Sequence, residues 1–357
     1  MQKAIKTMLM RGGTSKGPFF LADNLPADIA QRDRVLLAVM GSPDKRQIDG
    51  LGGSNPLTSK VGIVSTGTDP GVDLNFLFAQ VLVDKAVVDT IPNCGNMLAA
   101  VVPFALEMGL VRAHGDTTTL RVLTLNTGMK CDITVQTPDN ELTYEGDAHI
   151  DGAPGHSAPI KINFLDTAGS ICNGLLPTKQ LTDFIDGIPI TCIDNGMPLV
   201  IMSASDLSRS GYETVEQLNA DAVLKSQLES LRIKAGILMG LGDVTNKTYP
   251  KMCLISPAQF GGSISTRCFI PHVCHDAIGV LAAVTVATAC VLKGSVADVI
   301  AQAPDGLSKS ISVEHPTGEF TVELELDAND PSKVLSAALI RTARLLMRGE
   351  VMIPKEI

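Results

Sequence analysis

Residues 277–292, AIGVLAAVTVATACVL, run for 16 positions without a charged side chain. A bilayer span needs roughly 20 apolar residues, so this run reads instead as a helix buried on every side. Such a helix cannot lie on a surface, and the rest of the chain has to enclose it. Residues 93–111, NCGNMLAAVVPFALEMGLV, set the same condition a second time, with Pro103 predicted to kink the helix.

The two helices are approached in similar ways. LGGSNPLTSK and IPNCGN precede the first, and GGSIST and RCFIPHVCHD precede the second. Each half therefore shows strands, a glycine-rich polar loop and an apolar helix with Cys or His near its N-terminus. This weak duplication predicts two similar domains, 1–186 and 187–357, divided at the weakly patterned stretch 175–187, with the last strands free to return to the first domain. In each, antiparallel strands would curl around a central helix, and the two helix N-termini would meet at the interface. A coincidental alternation of strands and helices is the competing reading.

Elsewhere the pattern predicts a helix over 27–40 that starts near Asn24 or Asp28 and stops at Gly41. It also predicts strands over 61–65, 72–83, 120–127, 131–136, 142–150, 189–194, 198–204 and 251–257, and a helix over 215–239. The end, 338–353, is taken as strand.

Composition narrows the function. With 29 Lys and Arg against 38 Asp and Glu, the net charge is −9, and no basic stripe offsets it. Nucleic acid and anionic membrane are therefore poor partners. An anionic substrate would need a local positive pocket. The eight cysteines are scattered rather than arranged as a framework, and no export signal is read at the start, so reduced thiols and a cytoplasmic location are expected.

MRGGTSKG, residues 10–17, lacks the spacing of a phosphate loop, and no dinucleotide fingerprint or Gly-x-Ser-x-Gly elbow occurs. Taken alone, its Arg11, Thr14, Ser15 and Lys16 make a solvated turn. Lys60 closes a glycine-rich loop and enters an apolar run, where an amine is partly desolvated and suited to general-base chemistry; an ordinary surface lysine is the alternative. Cys94 sits at a helix start among Asn93, Gly95 and Asn96, a setting for a poised thiol or for an inert buried one. Cys268, His272, Cys274 and His275 have the composition of a zinc site but not its spacing. Arg267 and His272 fit carboxylate binding better. His114, His149, His156 and His315 lie in turn-like contexts and are expected at the surface.

MRGGTSKG, AVMGSPDKRQIDGLGGSNPLTSKV, PNCGNMLAAVVPFALEMGLV, CIDNGMP, KMCLISP, FIPHVCH and EHPTGEF together resemble the methylaconitate isomerase (PrpF) family over nearly the whole chain. SPDKRQIDGLGG, CIDNGMP and RTARLL are most similar to its 4-oxalomesaconate tautomerases, also called oxalomesaconate delta-isomerases, of gallate and protocatechuate breakdown. The resemblance implies an α+β, diaminopimelate epimerase-like fold of two pseudo-symmetric domains, each a β-barrel-like sheet around a central apolar helix. It also implies Lys60 as base and Cys94 as acid or its partner. A second catalytic cysteine at Cys274 is not implied, because lysine takes that role.

The chemistry expected is a cofactor-independent proton shift on an unsaturated tricarboxylate. Ser15, Ser59, Asn93, Gly95, Asn96, Arg267 and His272 are the candidate substrate-binding residues; no metal is expected, and a homodimer is left open. Methylaconitate or a methylitaconate-type acid is the alternative substrate. A zinc-dependent hydrolase and a non-catalytic carboxylate-binding protein are the alternatives from other classes.

Overall fold

The computed structural model describes residues 1–91, 93–330 and 333–357. The chain gathers into two compact units, Met1–Leu165 with Arg341–Ile357, and Asp166–Ile340. Both are built mostly of sheet.

In the first unit, β1 (Gln2–Gly12) passes into β2 (Ser15–Leu21) through a two-residue hairpin in which Gly12 faces Ser15. Gly13 opens that turn at φ 51°, a left-handed conformation that tight hairpins demand and glycine adopts without strain. Helix α1 (Ile29–Met40) begins where Asp28 accepts the Gln31 N–H and ends at Gly41 in the left-handed conformation. Its Val35, Leu36, Val39 and Met40 share a core with Ile5, Phe20, Val61 and Ile63.

Strand β3 (Lys60–Thr66) runs parallel to β2 and antiparallel to β4 (Leu74–Val81), and β5 (Val88–Asp89) pairs with the end of β4. The single kinked helix expected over 93–111 is two short ones, α2 (Gly95–Leu98) and α3 (Val101–Glu107). The break falls at Ala99–Ala100 because the ring of Pro103 collides with the carbonyl four residues back, that of Ala99, and offers no N–H to bond it. Strands β6 (Thr117–Thr124), β7 (Lys130–Gln136) and β8 (Ile160–Phe164) follow. The strand expected over 142–150 does not form; the chain bends at Gly146 and Asp147, leaving only a bridge from Ala148 to Ser157.

The second unit contains β9 (Asp183–Ile185), β10 (Ile188–Asp194), β11 (Pro198–Ser203), α4 (Val215–Ala220), α5 (Ala222–Leu238), β12 (Lys251–Ser256) and β13 (Ile264–Phe269). It continues through α6 (Val280–Val291), β14 (Ser308–His315), β15 (Gly318–Leu326) and β16 (Val334–Arg341). The helix expected over 215–239 is split at Asp221, whose carboxylate accepts the Leu224 N–H and so starts α5.

Every residue of α6 from Ala282 to Val291 is buried, packed against Ile193, Leu199, Ile201, Ile255, Ile264 and Ile311 among others. Each buried valine there contributes about 1.5–3 kcal/mol relative to exposure. Its two threonines return their hydroxyls to the helix, Thr285 to the Leu281 carbonyl and Thr288 to that of Val284.

The units divide at Leu165/Asp166 rather than at 186/187. The weakly patterned stretch belongs to the second unit because Leu175, Leu176 and Leu181 pack on its core and the Leu175 carbonyl accepts from the Asp194 N–H. The final strand, β17 (Ala343–Pro354), returns to the first unit and pairs antiparallel with β1 along its whole length. Among the described residues no helix is long and apolar enough to cross a membrane.

Candidate active site

Lys60 opens β3 and Cys94 immediately precedes α2, and the fold of the first unit brings the two side chains together. The Nζ of Lys60 donates to Cys94 Sγ across 3.4 Å, with each residue only 9% exposed. The same ammonium lies 5.4 Å from the centre of the Phe78 ring, on the neighbouring strand β4. Among the described residues Lys60 has no carboxylate within ion-pair distance, although buried ammonium groups are ordinarily paired. The result is a buried amine whose polar neighbour is a thiol.

Glycines let the hairpin close on this pair. A Cβ at Gly17 would lie 1.8 Å from the Lys60 carbonyl oxygen, and one at Gly12 would lie 2.4 Å from that of Asn96. Gly13 similarly backs onto the Asn96 side chain, whose Nδ2 donates to the Thr14 hydroxyl at 2.9 Å. Ser15 is 1% exposed, and its hydroxyl has no hydrogen-bond partner among the described residues. Such a group ordinarily has one. Arg11, read from sequence as part of a solvated turn, folds back to the Gly13 carbonyl and the Thr342 hydroxyl, each at 2.9 Å. Burial, with Arg344 nearby, lowers its pKa from the usual arginine range.

Ser59 has a bracing geometry rather than a binding one. It is fully buried, donates to the Val81 carbonyl at 2.7 Å and accepts from Gln47 Nε2 at 2.7 Å. Gln47, inside the SPDKRQIDGLGG motif but not among the candidate site residues, also bonds Ser42 and accepts the Ser54 N–H, and so ties together the loop that leads to Lys60. Gly52 is packed so closely on the Gln47 amide that a Cβ would sit 2.2 Å from it.

Asn93 accepts the N–H of Cys94 through its own Oδ1 at 3.0 Å and reaches the Thr127 hydroxyl at 3.5 Å. Gly95 and Asn96 open α2, where first-turn N–H groups have no acceptor inside the helix.

Arg267 and His272 belong to the second unit. Arg267 lines a cavity of about 670 Å³ with Tyr212, Ser265, Glu314 and His315, and its Nε and Nη1 donate to the carbonyls of Glu213 and Thr266. His272 is not part of that cavity lining; its Nδ1 lies 3.5 Å from Glu229. His114, His149 and His156 are exposed, whereas His315 packs edge-on against Phe320.

The CFIPHVCH segment does not converge on one point. Cys268 lies opposite Cys253 in the β12–β13 ladder, within the core, and His275 Nδ1 accepts the Ala277 N–H. Among the described residues no group of three or more His, Cys, Asp or Glu side chains is arranged to hold a metal ion. Burial pushes the Cys274 thiol up to about 12, against the pull of Arg267, so at neutral pH it is un-ionised.

Known proteins share this architecture and sequence. The family profile described as PrpF protein matches residues 2–354. The (4E)-oxalomesaconate Delta-isomerase of Novosphingobium sp. (strain KA1) is 55% identical over 346 residues, covering 97% of this chain and 96% of its own. The 4-oxalomesaconate tautomerase of Pseudomonas putida (strain KT2440) is 51% identical, covering 99% and 98%. Among solved structures, a methylitaconate-delta-isomerase superposes with a TM-score of 0.88 at 33% identity, covering 99% of this chain and 97% of that one.

Proposed function

The chain belongs to the PrpF family, and we propose that it isomerises 4-oxalomesaconate by moving a proton along a conjugated system, as keto–enol tautomerisation or a 1,3-allylic shift. The observation that carries this reading is the 3.4 Å contact between Lys60 and Cys94 in a buried setting where, among the described residues, no carboxylate pairs with the lysine. Relatives at 55% and 51% identity carry the matching names.

The steps follow from what the pair can do. Lys60, as the free amine, takes the proton from the carbon acidified by the neighbouring keto or alkene group, and the electrons spread into a dienolate. Cys94, as the thiol, returns a proton at the far end. Lys60 is then an ammonium and Cys94 a thiolate. At 3.4 Å they can exchange the proton directly, which restores both groups for the next turnover.

Charge on the dienolate is met by the first-turn N–H groups of Gly95 and Asn96 and by the Ser15 hydroxyl. Asn93 orients the thiol-bearing turn. The reaction needs no cofactor, and the substrate is a dissolved tricarboxylate of the cytoplasm. In the finer reading of the fold, each unit is a barrel-like sheet around its apolar helix, as in a diaminopimelate epimerase-like domain.

A methylitaconate-type substrate is the second reading, favoured by the 0.88 TM-score to the methylitaconate isomerase. Steady-state turnover of 4-oxalomesaconate, methylaconitate and methylitaconate separates the two. The proposal expects kcat/KM for 4-oxalomesaconate to exceed the others at least about tenfold, a difference of roughly 1.4 kcal/mol in transition-state binding. A reversed order overturns the substrate assignment.

A further inference from the structure

We propose that Asn126 is a positioning residue for the Lys60–Cys94 pair, bracing both sides of it from the turn between β6 and β7. The inference rests on the catalytic reading above.

Strands β4 and β6 pair in parallel, and the register ends at Phe76 opposite Thr124. One more bond, from the Leu125 N–H to the Phe76 carbonyl at 2.8 Å, carries the ladder to the turn. The chain then leaves the sheet, and the next position on β4, Phe78, would have a free N–H and C=O. The Asn126 amide takes the missing strand's place. Its Oδ1 accepts the Phe78 N–H at 2.9 Å, and its Nδ2 donates to the Phe78 carbonyl at 2.8 Å. The second Nδ2 hydrogen goes to the Thr90 carbonyl at 2.6 Å.

These three bonds end on two different structures. Phe78 carries the ring that faces the Lys60 ammonium. Thr90 begins the connection from β5 to Cys94. The adjacent Thr127 accepts from the Asn93 side chain, whose Oδ1 holds the Cys94 N–H. One turn therefore fixes the base-side ring and the acid-side loop relative to each other. A plain turn cap would need only the two bonds to Phe78; the bond to Thr90 and the contact from Asn93 connect it to the thiol. Misplacement of reacting groups by 1 Å can cost on the order of 100-fold in rate, so a brace of this kind acts on kcat.

The test compares Asn126→Ala, Asn126→Asp and Thr127→Val with wild type and with Leu125→Ala, a change at a half-exposed neighbour in the same turn. Asp keeps the acceptor for Phe78 and loses both donor bonds. Two readouts are taken: kcat and KM per folded molecule, and the rate at which iodoacetamide alkylates Cys94 in substrate-free protein, followed by peptide mass.

Asn126→Ala should lower kcat about 10- to 100-fold with KM within about threefold. It should also slow Cys94 alkylation at least about threefold, because the amine that can take the proton from the thiol is no longer held against it. Asn126→Asp and Thr127→Val should fall between, and Leu125→Ala should match wild type. Unchanged kcat in folded Asn126→Ala, or unchanged or faster alkylation, overturns the brace. If Asn126→Ala does not fold, the Asp and Val variants decide by the same criteria. Alkylation needs no substrate, so it tests the brace even if wild type proves inactive on 4-oxalomesaconate, an outcome that would refute the substrate assignment separately.

Discussion

Adding one methyl group at Gly17 should disable the candidate base without touching it. The Cβ of Gly17→Ala would lie 1.8 Å from the Lys60 carbonyl oxygen, 2.8 Å from its carbon and 3.3 Å from the Met97 methyl. Real contacts to a Cβ hardly ever fall below 3.0 Å, so β2 and β3 must separate by at least 3.0 minus 1.8, or 1.2 Å, at the residue that carries the amine. The obstacle is backbone on both sides, which cannot swing away as a flexible side chain would. Overpacking of this kind costs about 1–3 kcal/mol of stability. Displacing the amine by about 1 Å costs on the order of 100-fold in kcat/KM, or roughly 2.7 kcal/mol of transition-state stabilisation. The assay is initial-rate tautomerisation, with circular dichroism and thermal melting to establish the folded fraction. Gly349→Ala is the control, since its Cβ would meet nothing within 4 Å. A folded Gly17→Ala protein with wild-type kcat/KM would refute the claim that the hairpin fixes the position of Lys60.

Other consequences follow from groups away from the reacting atoms. Gln47→Ala removes the acceptor of the Ser54 N–H and a donor to Ser59; it should cost about 1–3 kcal/mol in urea unfolding, and wild-type stability would contradict the bracing role. Arg232 is fully buried, paired with Glu229 and bonded to the carbonyls of Val244, Lys247 and Tyr249; Arg232→Met should lose about 3–5 kcal/mol by the same measurement. Hydrogen bonds from Arg232 hold the Glu229 carboxyl below its ordinary value of 4.5. A folded-state pKa that is lowered means stability present above pH 4.5 and lost as pH falls through the folded value. Unfolding free energy should therefore decline below about pH 4.5, and Glu229→Gln should flatten that part of the profile; superimposable profiles would contradict the linkage.

What could be read without coordinates depended on how local the cause was. Helix α6 was legible because 16 uncharged positions leave no face for water. Gly41 was legible as the end of α1, and Asp28 as one of two candidates for its start, because capping is decided within one turn. Lys60 and Cys94 lie 34 residues apart, and only family resemblance pointed to them as a pair. Ser59 looked like a site residue because it adjoins Lys60, yet it ends the turn before β3 and its hydroxyl is taken up by the Val81 carbonyl and the Gln47 amide. Asn126 carried no signal at all, since its partner Phe78 lies 48 residues earlier and is chosen by strand register. Pro103 was legible as a disruption, and the break lies one turn before it because proline acts on the carbonyl four residues back. The unit boundary was misplaced by taking weak patterning for a linker, when Leu175, Leu176 and Leu181 were sufficient to pack it.

The central claim is that Lys60 removes the proton and Cys94 returns one. Proton NMR of 4-oxalomesaconate in deuterated buffer, with wild type and with Lys60→Ala, tests it most directly. The account predicts fast isomerisation with deuterium entering at a single carbon for wild type, and a rate lower by at least about 100-fold for the variant, the lower end of what general acid–base groups contribute. Near-wild-type turnover and deuterium incorporation by folded Lys60→Ala would contradict it.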